Sequence, residues 1–206
     1  MDVVAMIGIT LDGVMQAPAR PDEDRRGGFE HGGWALPYSD LSHRDRAVSQ
    51  SGMEAEALLL GRRTYEDFFS VWPARTDGNP YTEALNRAHK YVASRTLEEP
   101  LPWANSTLLR GEAADAVAEL RERPGKDLLI LGSGELVRSL MRRGLIDRYV
   151  LSIHPVVLGS GQRLFEDAGP CARLELVAAE PSANGVVIAT FRPADRPRRT
   201  LGGSPA

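Results

Sequence analysis

The chain has 206 residues, 42% hydrophobic and 26% charged, which is the balance of a globular protein of one domain and excludes a fibrous or disordered one. Its net charge of −3 argues against a general nucleic-acid binder, and its single cysteine, Cys171, excludes an internal disulfide framework. No apolar run approaches the ~20 residues that span a bilayer, and MDVVAMIGIT lacks the basic start of a signal peptide, so a soluble cytoplasmic protein without membrane contact is expected.

Eight short apolar runs read as strands, at Val3–Ile9, Ala57–Leu60, Lys90–Ala93, Thr107–Leu109, Leu128–Leu131, Arg148–Ile153, Leu174–Val177 and Val186–Phe191. Most are continuously apolar, as strands covered on both faces tend to be. After the first strand comes a Gly/Pro-rich insert at 16–40, long enough to be functional or disordered. A helix is predicted over Leu41–Glu56, opened by Ser42 and Asp45 as a capping box. Further helices fit Thr64–Val71, Thr82–Ala88, Glu112–Arg123 and Gly134–Arg143, the last stopped by Gly144. Strands alternating with helices mean an α/β sheet that is mostly parallel. The last two strands are joined only by Pro181–Gly185, whose Asn-Gly signals an antiparallel hairpin. Residues 1–192 are therefore expected to form one domain and 193–206 a flexible tail.

Three strand-to-helix junctions carry chemistry. In LLILGSGELVRSL a strand runs into Gly132-Ser133-Gly134 and then a helix, where free N–H groups suit an anion. Val137 stands where a Gly-x-Gly-x-x-Gly fingerprint needs its third glycine, and the next strand ends at His154 rather than an acid. In ALLLGRRTYEDF, Gly61 precedes Arg62, Arg63 and Thr64. Arginines at a helix N-terminus oppose the helix dipole unless an anion lies outside, so they either meet a phosphate or point to solvent. In KYVASRTL a strand delivers Ser94 and Arg95. Ligands of open α/β sheets bind beyond the carboxyl ends of strands, and three such ends with Gly, Ser and Arg donors point to a phosphate-rich ligand. No acid stands beside these arginines in sequence before Glu66.

Taken in order with TLDGVMQAP, GGFEHGGWALPYSD and LSIHPVVLGSGQRLFED, these junctions make the chain resemble the dihydrofolate-reductase-like superfamily over about residues 2–192, in particular the C-terminal reductase domain of the riboflavin-biosynthesis enzyme RibD. The resemblance implies a mostly parallel eight-stranded mixed sheet with an antiparallel C-terminal edge and helices on both faces. It implies NADPH as hydride donor, with Gly61, Arg62, Arg63, Thr64, Ser94 and Arg95 at the adenosine end. Gly132, Ser133, Gly134, Glu135 and Leu136 would hold the pyrophosphate, and the Asp12 loop would lie near the nicotinamide. It also implies a homodimer. The riboflavin reductases are usually fused to a zinc deaminase that is not found in this sequence, and the insert resembles that of stand-alone members, with Trp34, Pro37, Tyr38 and Asp40 as candidate substrate contacts.

The expected activity is reduction of a small heterocyclic or carbonyl/imine substrate by NADPH, with Asp12 as candidate catalytic residue and Asp40, His43 and Asp45 near the first helix as further acids. The alternative is a non-catalytic nucleotide- or ligand-binding member of the same fold. Asp12-Gly13 is either a turn or part of the site, and Trp34 either a substrate platform or a plug over the core. His154 reads as structural, Cys171 lacks a partner for a catalytic thiol, and no metal-ligand spacing is present.

Overall fold

In the computed structural model, residues 1–39, 57–165 and 171–195 are described. The predicted helix over Leu41–Glu56 lies outside them, with Asp40, His43 and Asp45, and so does most of the predicted tail.

Along the described chain run β1 (Val3–Thr10), β2 (Ala57–Gly61), α1 (Arg62–Val71), α2 (Pro80–Arg87), β3 (His89–Ala93), β4 (Ser106–Leu109), α3 (Ala113–Arg121), β5 (Leu128–Leu131), α4 (Gly134–Arg142), β6 (Arg148–His154), β7 (Leu174–Pro181) and β8 (Val187–Pro193). The strands form one eight-stranded sheet in the order β4-β3-β2-β5-β1-β6-β8-β7. Pairing is parallel from β4 to β6, and β8 lies antiparallel to both β6 and β7. The sheet is the expected one, mostly parallel with an antiparallel C-terminal edge.

Two cores explain why the strands read as continuous apolar runs. Val3, Ala5, Ile7 and Ile9 of β1 face α3 and α4 through Val117, Leu120, Val137 and Leu140, while Val4 joins Leu58, Leu60, Tyr65 and Leu85 beneath α1 and α2. Alternate residues of one strand point to opposite faces, so a strand covered on both is apolar at every position.

The edge differs. Nearly every residue of β7 is exposed, Leu176 and Val177 by more than half. The hairpin before β8 closes through Ser182, whose N–H donates to the Val186 carbonyl, with Gly185 at φ +85°.

The insert builds a small core of its own. Phe29 and Trp34 pack with Val14 and Ala17, and the Trp34 indole N–H donates to the Gln16 carbonyl at 2.7 Å.

Candidate active site

A cleft of about 960 Å³ opens across the carboxyl ends of β3, β2 and β5 and runs along β1 to β6. Strand ends line it because the βα turns there leave backbone groups unpaired.

Two of these turns are tied together. Ser133 Oγ accepts the Gly61 N–H at 2.9 Å and donates to the Leu131 carbonyl, and the Ser133 N–H donates to Thr64 Oγ1 at 3.2 Å. Ser133 makes these bonds from a left-handed backbone, φ 56° and ψ 46°, which costs a side-chain-bearing residue roughly 1–2 kcal/mol. The hydrogen bonds hold it there. At neighbouring Gly134 a Cβ would require the end of the Met15 side chain to shift.

All the residues assigned to the cofactor line this cleft: Gly61 to Thr64 at the start of α1, Ser94 and Arg95 after β3, and Gly132 to Leu136 at the start of α4. The arginines have acids beside them that sequence order conceals. Arg63 pairs with Glu135 at 3.0 Å and Arg95 with Glu112 at 3.6 Å, besides Arg62 with Glu66 at 3.0 Å. Glu135, expected to hold a pyrophosphate, is a carboxylate bound to Arg63 and repels such a group. Exposed pairs of this kind contribute at most about 1 kcal/mol, so a dianionic phosphate can displace the carboxylates.

Asp12 stands apart from the other candidates. It is not among the residues lining the cleft. Its carboxylate accepts the Thr10 hydroxyl at 2.6 Å and the N–H groups of Gly159 and Leu158 at 2.9 and 3.2 Å. The Thr10 hydroxyl above all, with those N–H groups, holds its pKa down to about 2 against a smaller opposing effect of burial. In this arrangement the ionised carboxylate clamps the 158–159 loop.

The substrate candidates separate. Trp34 is 7% exposed and stands edge-on to His154 at 5.0 Å, so it is the plug and not the platform. Pro37 is exposed and does not line the cleft. Tyr38 does line it, and its hydroxyl reaches the Pro155 carbonyl at 3.4 Å. His154 also reaches the cleft. Its Nδ1 lies 3.0 Å from the Ser152 carbonyl and 3.3 Å from that of Ile9, and burial pushes its pKa down. Two carbonyl acceptors fix the proton on Nδ1 of a neutral ring.

Several residues went unnoticed in the sequence. Buried Gln16 donates its amide to the carbonyls of Asp24 and Arg26 and accepts the Gln162 N–H at 3.0 Å, which ties the start of the insert to its 24–26 segment and to the loop after β6. Arg20 of the insert pairs with Asp67 of α1. Beside it Glu23 accepts the N–H groups of Ala19 and Arg20, and burial pushes its carboxyl up. Phe68, Trp72 and Tyr81 extend the cleft beyond Asp67. Only the four-residue spacing of Phe68 and Trp72 gave a sequence signal for any of these.

Comparison with known proteins agrees with this architecture. The sequence profile described as the RibD C-terminal domain matches residues 2–188. The uncharacterized protein YyaP of Bacillus subtilis (strain 168) is 28% identical over 191 residues, covering 90% of this chain and 91% of that protein. A putative riboflavin biosynthesis protein from Shewanella sp. PV-4 superposes with a TM-score of 0.71 at 22% identity, over 94% of this chain and 99% of that one. Dihydrofolate reductase from Enterococcus faecalis, complexed with NADP(H) and RAB-propyl, gives 0.59 at 14% identity, over 94% and 97%.

Proposed function

The chain belongs to the RibD C-terminal domain family, and from that premise we propose that it is a reductase that takes hydride from NADPH and reduces a small heterocyclic, carbonyl or imine substrate. One observation carries the reading: Arg62, Arg63 and Arg95 come from two strand ends to the rim of one cleft, beside a glycine turn in which Gly132 has φ +57°.

The donor set fits a phosphorylated dinucleotide. Guanidiniums suit phosphate because two N–H groups can address two oxygens at once. Bound NADPH supplies the hydride; the protein orients and encloses it. Arg62, Arg63 and Arg95 would hold the 2′-phosphate, with the hydroxyls of Thr64 and Ser94 beside them. Gly132 and Gly134, without side chains, let the backbone approach the pyrophosphate. Tyr38 and His154 bound the cleft at the β6 side and help to exclude water. Asp12, already ionised, is not the proton donor.

The test is a titration of NADPH and NADH against the wild type and the Arg62→Ala, Arg63→Ala and Arg95→Ala variants. Each lost charge-assisted hydrogen bond is worth about 1.5–3 kcal/mol, so at least one variant should weaken NADPH by roughly 10- to 100-fold and leave NADH nearly unchanged. Equal wild-type affinity for both dinucleotides overturns this placement. Tight NADPH binding without oxidation across a broad carbonyl and heterocycle panel would mark a binding protein instead.

The assembly proposed with this reading is a cytoplasmic homodimer joined along β7, where Leu176 and Val177 are 59% and 56% exposed on an unpaired edge. Light scattering at micromolar concentration that returns only the monomer mass removes it.

A further inference from the structure

Each arginine of the cofactor end carries a carboxylate, but the three pairs are not alike. Arg62 and Glu66 lie one turn apart on α1. Arg95 meets Glu112 at 3.6 Å, with their side chains 80% and 64% exposed. Glu135 reaches from the first turn of α4 across to Arg63 on α1, with 3.0 Å between Oε1 and Nη1. It alone of the three acids both holds a cofactor arginine and stands at the glycine turn.

That turn is suited to an anion. The Ser133 hydroxyl is bonded to Gly61 and Leu131, so the cap residue's own side chain does not cap the first turn of α4. The N–H groups there and the positive end of the helix dipole favour negative charge. Arg63 of α1, Arg138 of α4 and Arg26 of the insert line the same cleft. The charge of Glu135 reaches Arg26 too, whose pKa is raised chiefly by its hydrogen bond to Asp24 and further by Glu135. A cleft lined with guanidiniums gathers anions from solution. A carboxylate fixed on a neighbouring helix competes with all of them, because its local concentration is set by the fold and not by the solvent.

We propose that Glu135 is a tethered counter-anion for Arg63: it occupies the guanidinium in the free protein and leaves it when a phosphate arrives, so that a ligand is held only if it makes several contacts in the cleft. The proposal rests on the reading of this end as the dinucleotide's, and adds how that end excludes simpler anions. The Glu135 side chain is 68% exposed, so solvent is open to it once it lets go. The same exposure limits the pair to about 1 kcal/mol, so Glu135 weakens every ligand of Arg63 by one common factor of up to about fivefold. NADPH, with a pyrophosphate and a 2′-phosphate to bind, withstands that factor. A small inorganic anion, with one or two contacts, is driven off by it.

The experiment is a calorimetric titration of the full chain, wild type and Glu135→Gln, with NADPH and separately with inorganic pyrophosphate. Glutamine keeps the shape and removes the charge. Glu135→Gln should bind both ligands about three- to fivefold more tightly than wild type, by the same factor for each. In an Arg63→Ala background the gain should fall to about twofold or less, which an effect on the stability of α4 would not reproduce. Unchanged or weaker binding of pyrophosphate in Glu135→Gln, a gain for NADPH that pyrophosphate does not share, or a gain undiminished in Arg63→Ala each overturns the proposal. The cofactor reading fails separately. A pyrophosphate gain in Glu135→Gln with NADPH bound by neither protein sinks that reading alone, whereas NADPH bound equally by both proteins sinks the counter-anion alone.

Discussion

The two walls of the cleft are built by different means. On the α1–α4 side the βα turns grow directly out of paired strands, and Ser133 joins them by hydrogen bonds at the strand ends. On the insert side no strand supports the chain, and its position depends on a few buried side chains, with Trp34 and Gln16 foremost. A wall framed by a sheet keeps its shape when one contact is lost, because the ladder remains. A wall hung on two side chains does not.

The largest effect should therefore come from the insert. Trp34→Ala leaves a cavity and costs about 3–5 kcal/mol, a melting temperature lower by about 10 °C for a chain of this size, without a specific loss for either ligand in the molecules still folded. A melting temperature within a degree of wild type, together with a selective loss of substrate affinity, would restore Trp34 as a platform. Gln16→Leu comes next. It leaves the carbonyls of Asp24 and Arg26 and the Gln162 N–H without their side-chain partners, at about 1–3 kcal/mol, and limited proteolysis should cut first within 16–39. Cleavage elsewhere at an unchanged rate would show that the insert holds itself.

On the framed wall, Ser133→Ala deprives the Gly61 N–H of its acceptor, at about 1 kcal/mol in stability, with NADPH affinity falling more than overall stability does. Ser133→Gly removes the same bonds and relieves the left-handed backbone, so it should be the milder change in a denaturant titration; the reverse order would contradict the account given of that turn. At neutral pH the smallest effect on activity belongs to Asp12. Its folded pKa of about 2 lies below the ordinary 3.8, so its contribution to stability is full above about pH 4 and disappears as the pH falls through about 2. Asp12→Asn should flatten that acid limb relative to wild type and leave the neutral part of any pH–rate profile where it was. A shift of that profile near neutrality would put Asp12 back into the chemistry.

The same contrast explains what the sequence disclosed. The junctions were legible because glycine, arginine and serine at strand ends follow from local geometry, and because strands buried on two faces are continuously apolar, as Leu128–Leu131 is. The helix after β2 begins at Arg62, earlier than its apolar spacing indicated, because Gly61 takes the cap position. What stayed hidden depends on contacts between distant segments. Nothing near Arg63 in sequence announces Glu135, 72 positions away. Nothing in Asp12-Gly13 tells that the backbone of Leu158 and Gly159 will saturate the carboxylate. Trp34 in a glycine-rich loop is compatible with stacking on a ligand or with filling a core, and only the packing of Val14, Ala17 and Phe29 decides.

Lys90 has a practical consequence. The sequence contains two lysines. Lys90 is fully buried, its ammonium donating to the carbonyls of Asn86, Ala88 and Ala104 beneath the Trp103 ring, and the Met1 amine donates to the carbonyls of Arg121 and Arg123. Lys126 is exposed in the turn before β5, at the amino ends of the parallel strands and thus across the sheet from the cleft. Of the two lysines, an amine-reactive dye or surface coupling will therefore reach Lys126 first in the folded protein, with the cleft turned outward, and a later adduct on Lys90 reports the opening of the structure around it.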